Sequence, residues 1–137
     1  MTDRDDFIAW TQSRLREAET ALHNGDPEPR LALWSSREPV SVLGAWLSGT
    51  GQDEVRDLFR TLAETFSDCT SHVYEIVAAD VIGDLAFTTG YERTQAVVKG
   101  ERRRYVLRVT QAYRREEGEW KVAHRHADTV EIDVDES

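Results

Sequence analysis

The stretch Tyr113-Arg-Arg-Glu-Glu-Gly-Glu-Trp-Lys-Val-Ala-His-Arg-His-Ala-Asp128 decides how the rest of the chain is read. Glu117-Gly118 divides it as a tight turn between two extended runs, the signature of a β-hairpin. In the second run Trp120, Val122, His124, His126 and Asp128 stand two apart, so alternation predicts one shared sheet face. Two more turns of this kind lie upstream, at Gly83-Asp84 and Lys99-Gly100. Together they predict strands at about 71–80, 85–97, 102–115 and 120–128, joined tightly enough to be antiparallel neighbours. Strands this long twist and curl, since ~12 residues span roughly 40 Å.

Ahead of the strands the period changes to that of a helix. Ile8, Thr11, Leu15, Ala18 and Leu22, widened by Phe7 and Trp10, form one stripe that Thr2 or Asp3 can cap and Asn24-Gly25 can end. Arg30–Ser35 reads as a short helix carrying Trp34, and Val40–Leu43 as a brief strand. Ser48-Gly-Thr-Gly51 reads as a loop before a helix whose stripe is Val55, Leu58, Phe59, Leu62 and Phe66. Helices followed by a long meander predict an α+β domain, a curved antiparallel sheet wrapped around N-terminal helices into a cone. A cone of this kind has room for a small molecule.

The 137 residues suit one domain, with a core at about 5–128 and an acidic tail at 129–137. Twelve aromatic side chains and 39% apolar residues argue against a disordered chain. The net charge of −9 disfavours nucleic acid and anionic membranes as partners. Residues 93–125 nevertheless hold ten Lys or Arg against four Glu, including Arg102-Arg103-Arg104, which reads as a solvated hairpin end. The longest apolar run, Ile76–Ala79, is far short of a membrane span, and the acidic start resembles no targeting segment. The one cysteine, Cys69, reads as an inert thiol, and a cytoplasmic location is the expectation.

Candidate chemistry gathers on the last strand. His126 and Asp128 can form an imidazole–carboxylate pair for proton transfer, with Tyr91 polarising a carbonyl. The His-x-His of His124 and His126 could instead chelate zinc, or be satisfied by hydrogen bonds in a sheet face. A third ligand would have to come from Asp128 or a neighbouring strand, which spacing alone does not show. Short His-x-His matches are also common, so no metal and no cofactor is expected. Trp34 and Trp46, read as loop tryptophans, are candidates to roof a pocket. Neither face of the long strands is purely apolar, so helices should cover one and a second copy of the chain the other.

Leu43-Gly-Ala-Trp46, Gly90-Tyr-Glu-Arg93, Leu107-Arg-Val-Thr110 and the hairpin above resemble the SnoaL-like branch of the nuclear transport factor 2-like, or ketosteroid isomerase-like, superfamily. The hairpin is also similar to the association domain of calcium/calmodulin-dependent kinase II. The resemblance spans about residues 5–128 and implies a cone-shaped α+β barrel, usually dimeric, with a deep pocket. Aligned on Gly118 and Trp120, the association domain's pocket arginines fall at Thr89, Gln111 and Ala127, none an arginine here. That parity implies a pocket wall of Phe87, Thr89, Tyr91, Gln111, Tyr113, Arg125 and Ala127, with His124, His126, Arg108 and Thr110 facing the dimer side.

These readings converge on a homodimer, joined through the sheet face, whose cone binds a small, partly apolar molecule. The activity expected is cofactor-free isomerisation, cyclisation or dehydration, with Asp128 or His126 as base. Its alternative is a non-catalytic ligand-binding or oligomerising module.

Overall fold

The computed structural model describes residues 2–131. The first helical stripe folds as α1 (Asp3–Trp10), a single π-helical turn (Thr11–Leu15) and α2 (Arg16–Leu22). Thr2 caps α1 by accepting from the Asp5 amide while the Asp5 carboxylate accepts from the Thr2 amide, a reciprocal capping box. The π turn adds a residue and brings Thr11, Leu15, Ala18, Glu19, Leu22 and His23 to the buried side. Two ionisable side chains, Glu19 and His23, thereby enter the interior on an otherwise uncharged stripe.

α3 (Glu28–Leu33) follows, then β1 (Ser41–Leu43), β2 (Ser48–Thr50) and α4 (Gln52–Thr65). Ser48–Thr50, expected as a loop, pairs antiparallel with β1 as a short edge strand. Phe66, expected to close the α4 stripe, is extended and begins the next strand, where it pairs with Val98. Four long strands complete the chain: β3 (Phe66–Ile82), β4 (Leu85–Val98), β5 (Glu101–Glu116) and β6 (Glu119–Val130). The sheet order is β2-β1-β6-β5-β4-β3, with β1 parallel to β6 and the four long strands an antiparallel meander. The sheet is curved and unclosed, an α+β architecture with the helices across its concave side.

Register decides which residues face the cone. Lys99 and Gly100 both take positive φ (51° and 83°), the conformation of a two-residue hairpin turn. The turn pairs Val98 with Glu101, so even residues of β4 stand beside odd residues of β5: Thr88 with Gln111, Glu92 with Leu107, Thr94 with Tyr105. A bulge shifts the β5–β6 register after Ala112, leaving Ala123 unpaired opposite. Before the bulge Trp120 and Val122 face inward; beyond it Arg125 and Ala127 do, and His124, His126 and Asp128 turn out.

Two consequences correct the sequence reading. Asp128 and His126 do not share a face with Trp120 and Val122. Phe87, Thr89 and Tyr91 stand on the outer face, because one parity does not run through both strands of the hairpin. Gln111, Tyr113, Arg125 and Ala127 face inward.

The apolar core fills one end of the cone. Phe7 meets Tyr113 and Trp120 edge-on at centroid distances of 4.9 and 5.1 Å. Trp34 packs against Phe59 at 4.8 Å in the same cluster. Burying so many aromatic rings is the main favourable term holding the helices to the sheet.

Candidate functional site

Away from that core, the concave face carries a buried polar network spread over the four long strands. Arg125 of β6 reaches across β5 to Glu92 of β4 and donates from both terminal nitrogens, each at 2.7 Å. Glu92 and Arg125 are 3% and 6% exposed, so the ion pair is out of water. Burial alone would raise the Glu92 pKa, but the facing guanidinium overrides it and holds the carboxyl well below its usual range.

Arg125 also donates to the Gln111 side chain at 3.1 Å, and Gln111 donates to the Tyr113 hydroxyl at 2.6 Å. Tyr113 and Thr88 are joined at 2.9 Å, and Tyr74 donates to Thr88 at 2.8 Å. Burial pushes the phenols of Tyr74 and Tyr113 upward, so both stay protonated. Gly90 makes room for Tyr74: a Cβ there would lie 2.9 Å from the Tyr74 ring and closer still to the Glu75 carbonyl.

A second group completes the interior. Glu19 of α2 faces Arg30 of α3 at 3.1 Å, both fully withdrawn from solvent. His23, just past α2, stacks on His72 of β3 with ring centroids 4.8 Å apart. Its Nδ1 lies 2.7 Å from the Glu19 carbonyl and its Nε2 2.8 Å from the Tyr105 hydroxyl. Burial, reinforced by the neighbouring His72, lowers the His23 pKa to about 4, so the ring is neutral at pH 7.

His72 Nδ1 bonds Thr94 at 2.9 Å. Its Nε2 has no hydrogen-bond partner among the described residues, and neither has Glu19 Oε2. Both residues line a cavity of about 250 Å³ between the π turn, α2 and β3, along with Thr11, Leu15, Arg16, Tyr74 and Glu92. This cavity and its two unsatisfied acceptor-capable atoms form the candidate site.

Donor atoms of Glu19, His72 and Glu92 lie within 4.8 Å of one another, a spacing that could admit a metal ion. Their surroundings weigh against one. Both Glu92 oxygens are already held by Arg125, and Glu19 faces Arg30, so a dication would enter beside two guanidinium groups. On β6, His124 Nδ1 is bonded to Ser41 at 2.8 Å.

The expected catalytic residues Tyr91, His126 and Asp128 do come together, but outside the cone. With Thr89, Arg108 and Thr110 they line a shallow hollow on the outer sheet face. There Arg108 donates twice to Asp128, at 2.7 and 3.2 Å, and holds its carboxyl below the usual range. A carboxylate so occupied is a weak base.

Among the expected ligand-binding residues, Gln111, Tyr113 and Arg125 belong to the buried network, whereas Trp34 is core and Phe87 and Thr89 are outer. Trp46 is 52% exposed and stands edge-on to Tyr105 at 5.2 Å, over a narrow apolar cleft that reaches His23 and Arg125.

Glu19, His23, Arg30 and His72 are absent from the sequence reading. A signal for two of them exists: Glu19 and His23 follow Leu15 and Ala18 at helical spacing, on the side that must be buried. Nothing comparable marks Arg30 or His72.

A family model described as a SnoaL-like domain matches residues 2–129. No curated protein matches the chain in sequence. Among solved structures, a candidate dehydratase of the NTF2-like family from Streptomyces avermitilis superposes with a TM-score of 0.76 at 19% identity, covering 94% of this chain and 97% of that one. A ketosteroid isomerase-like protein from Erwinia carotovora atroseptica gives 0.72 at 17% identity, covering 93% and 99%. A candidate calcium/calmodulin-dependent kinase II association domain from Thiobacillus denitrificans gives 0.71 at 16% identity, covering 88% and 93%. At these identities the likeness is one of fold.

Proposed function

Because the chain belongs to the SnoaL-like family, we propose that its cone binds a small, partly apolar molecule and moves a proton on it without a cofactor, as an isomerase, cyclase or dehydratase does. One observation carries this reading. His72 Nε2 and Glu19 Oε2 are buried and lack partners among the described residues, and both residues line a cavity large enough for a small ring. Leaving two such atoms unsatisfied costs stability, and a ligand that bonds them recovers it.

His72 is the base in this reading, and Glu19 stabilises the imidazolium that forms. The Glu92–Arg125 pair is too firmly coupled to exchange protons and acts as a fixed floor. Proton abstraction next to a carbonyl is the step these groups suit.

The test is solvent deuterium incorporation into a panel of cyclic ketones and β-hydroxyketones, followed by NMR. Exchange that His72→Ala abolishes while binding persists supports catalysis. Binding without exchange in the unmodified protein leaves a ligand-binding module, and absence of both removes the reading.

We also propose that a second copy of the chain covers the outer sheet face. Val77 (66% exposed) lines the hollow of Tyr91, Arg108 and His126, and Phe87, Leu85 and Ile82 continue the exposed apolar side chains of β3 and β4 towards the turn that joins them. Sedimentation of the purified protein tests this: a monomer at micromolar concentration would rule it out.

A further inference from the structure

The wall of the cavity between the π turn, α2 and β3 divides by depth. Thr11, Leu15, Glu19, His72 and Glu92 are buried and form its inner part, whereas Gln12, Arg16 and Val73 are exposed and frame its mouth. The helix sets this division. Thr11, Leu15 and Glu19 stand four apart on the inward stripe, and Gln12 and Arg16, each one residue further on, run beside it on the solvent side.

Both carboxylates on that wall already face a guanidinium: Glu19 meets Arg30 at 3.1 Å and Glu92 meets Arg125 at 2.7 Å. Arg16 enters no ion pair among the described residues. The wall is therefore balanced at depth and carries one uncompensated positive charge at its mouth. An ammonium group would find no free carboxylate inside and a like charge at the entrance. A carboxylate held at the mouth meets Arg16 and keeps part of its water, so it escapes the desolvation that a charge at depth suffers.

We propose that Arg16 and Gln12 form a carboxylate-binding mouth to this cavity, and that the ligand is a monocarboxylate whose apolar portion enters ahead of its charge. The guanidinium matches a carboxylate with two parallel N–H donors, and the Gln12 amide offers another. Leu15, Val73 and Ile76 supply apolar wall for the rest of the ligand. Arg16 is thus a specificity-determining residue, which selects among ligands and takes no part in moving the proton. The proposal rests on the cavity being the ligand site and names the class of molecule it admits.

The test uses phenylacetate, phenylacetamide and phenethylamine, which share a ring and differ in the group at the end of the chain. Each is titrated into the full chain at pH 7 while the His72 ring resonances are followed by NMR. Phenylacetate should bind about fivefold more tightly than phenylacetamide, the upper range for a solvated ion pair, and phenethylamine more weakly than either. Arg16→Gln should abolish the carboxylate preference and leave the amide within about twofold of its parent affinity. Arg14→Gln removes the same charge from an exposed arginine that lines a different hollow, and it should leave the preference intact.

Phenylacetamide or phenethylamine binding as tightly as phenylacetate overturns the proposal while leaving the cavity as the ligand site. A carboxylate preference that survives Arg16→Gln, or that falls equally with Arg14→Gln, overturns it too, because bulk charge would then be its source. If no probe moves the His72 resonances, the cavity is not the ligand site, and the proposal fails together with the reading beneath it.

Discussion

Two carboxylate–guanidinium pairs sit on opposite faces of the same sheet. Inside the cone, Glu92 and Arg125 meet at 2.7 Å; outside it, Asp128 and Arg108 also meet at 2.7 Å. Chemistry and distance match, and the surroundings do not. The inner pair is buried and shares its arginine with Gln111, whereas the outer side chains are each more than half exposed. Water screens the outer pair, so it contributes little to the monomer. The inner pair has given up its hydration, so each charge depends on the other. The catalytic candidates that spacing selected sit with the weak pair, and the unsatisfied groups sit beside the strong one.

The largest break in this comparison is Arg125→Met. It strands Glu92 as a buried charge and should destabilise the fold by about 3–5 kcal/mol, read from urea unfolding at pH 7. The double variant Glu92→Met with Arg125→Met should recover much of that loss. If the single variant costs no more than a typical surface change, the interior does not hold the pair away from water.

Acid should reach the interior before it matters outside. The His23 pKa is about 4 in the folded protein against roughly 6.5 unfolded, so the unfolded state takes the proton first. Stability is therefore whole above about pH 7 and declines between about pH 6.5 and 4, by about 3 kcal/mol in all. Glu92 adds a second loss at lower pH: its folded pKa is depressed, so its contribution is present above the unfolded value of ~4.3 and fades below it. His23→Gln should flatten the upper limb, and the Glu92→Met, Arg125→Met double variant the lower. Unfolding midpoints measured at half-unit pH steps separate the two.

Gly90 sharpens the inner half of the comparison. A Cβ there collides with the Glu75 carbonyl and crowds the Tyr74 ring, so Gly90→Ala should cost about 1–3 kcal/mol and displace Tyr74 from Thr88. The same substitution at Gly118, in an open turn at positive φ (80°), strains only the backbone and should cost about 1 kcal/mol.

Local signals explain how much of this was legible beforehand. The turns Gly83-Asp84, Lys99-Gly100 and Glu117-Gly118 lie between adjacent residues of the chain, and they placed the four long strands. The parallel pairing of β1 with β6 joins Val42 to Arg125, a contact that no local pattern announces. Facing was harder than pairing. The register across Lys99-Gly100 was open to inspection, since a two-residue turn pairs even with odd positions, and it moves Phe87, Thr89 and Tyr91 outward. The bulge at Ala123 was not, because Val-Ala-His carries no glycine or other mark of an extra residue. That one residue turned His126 and Asp128 away from the cone and brought Arg125 in. His72 and Arg30 stayed hidden because a buried polar group is chosen by partners distant in sequence.

The smallest effect belongs to the outer pair, and it bears on the proposed dimer. Asp128→Asn removes the charge that Arg108 holds, yet both groups stay solvated, so the unfolding midpoint of the monomer should not move measurably. A partner sheet covering the hollow of Tyr91, Thr110 and His126 would change that. Arg108 would then lose water as well as its counter-charge, and the cost would appear as weakened self-association instead of weakened folding. Sedimentation of Asp128→Asn over a range of concentrations should show more monomer than the parent protein at equal loading, with identical unfolding once both are dissociated. Equal self-association of the two proteins would put the pair outside any interface and send the search for the dimer contact to the exposed apolar ends of β3 and β4, at Ile82 and Leu85.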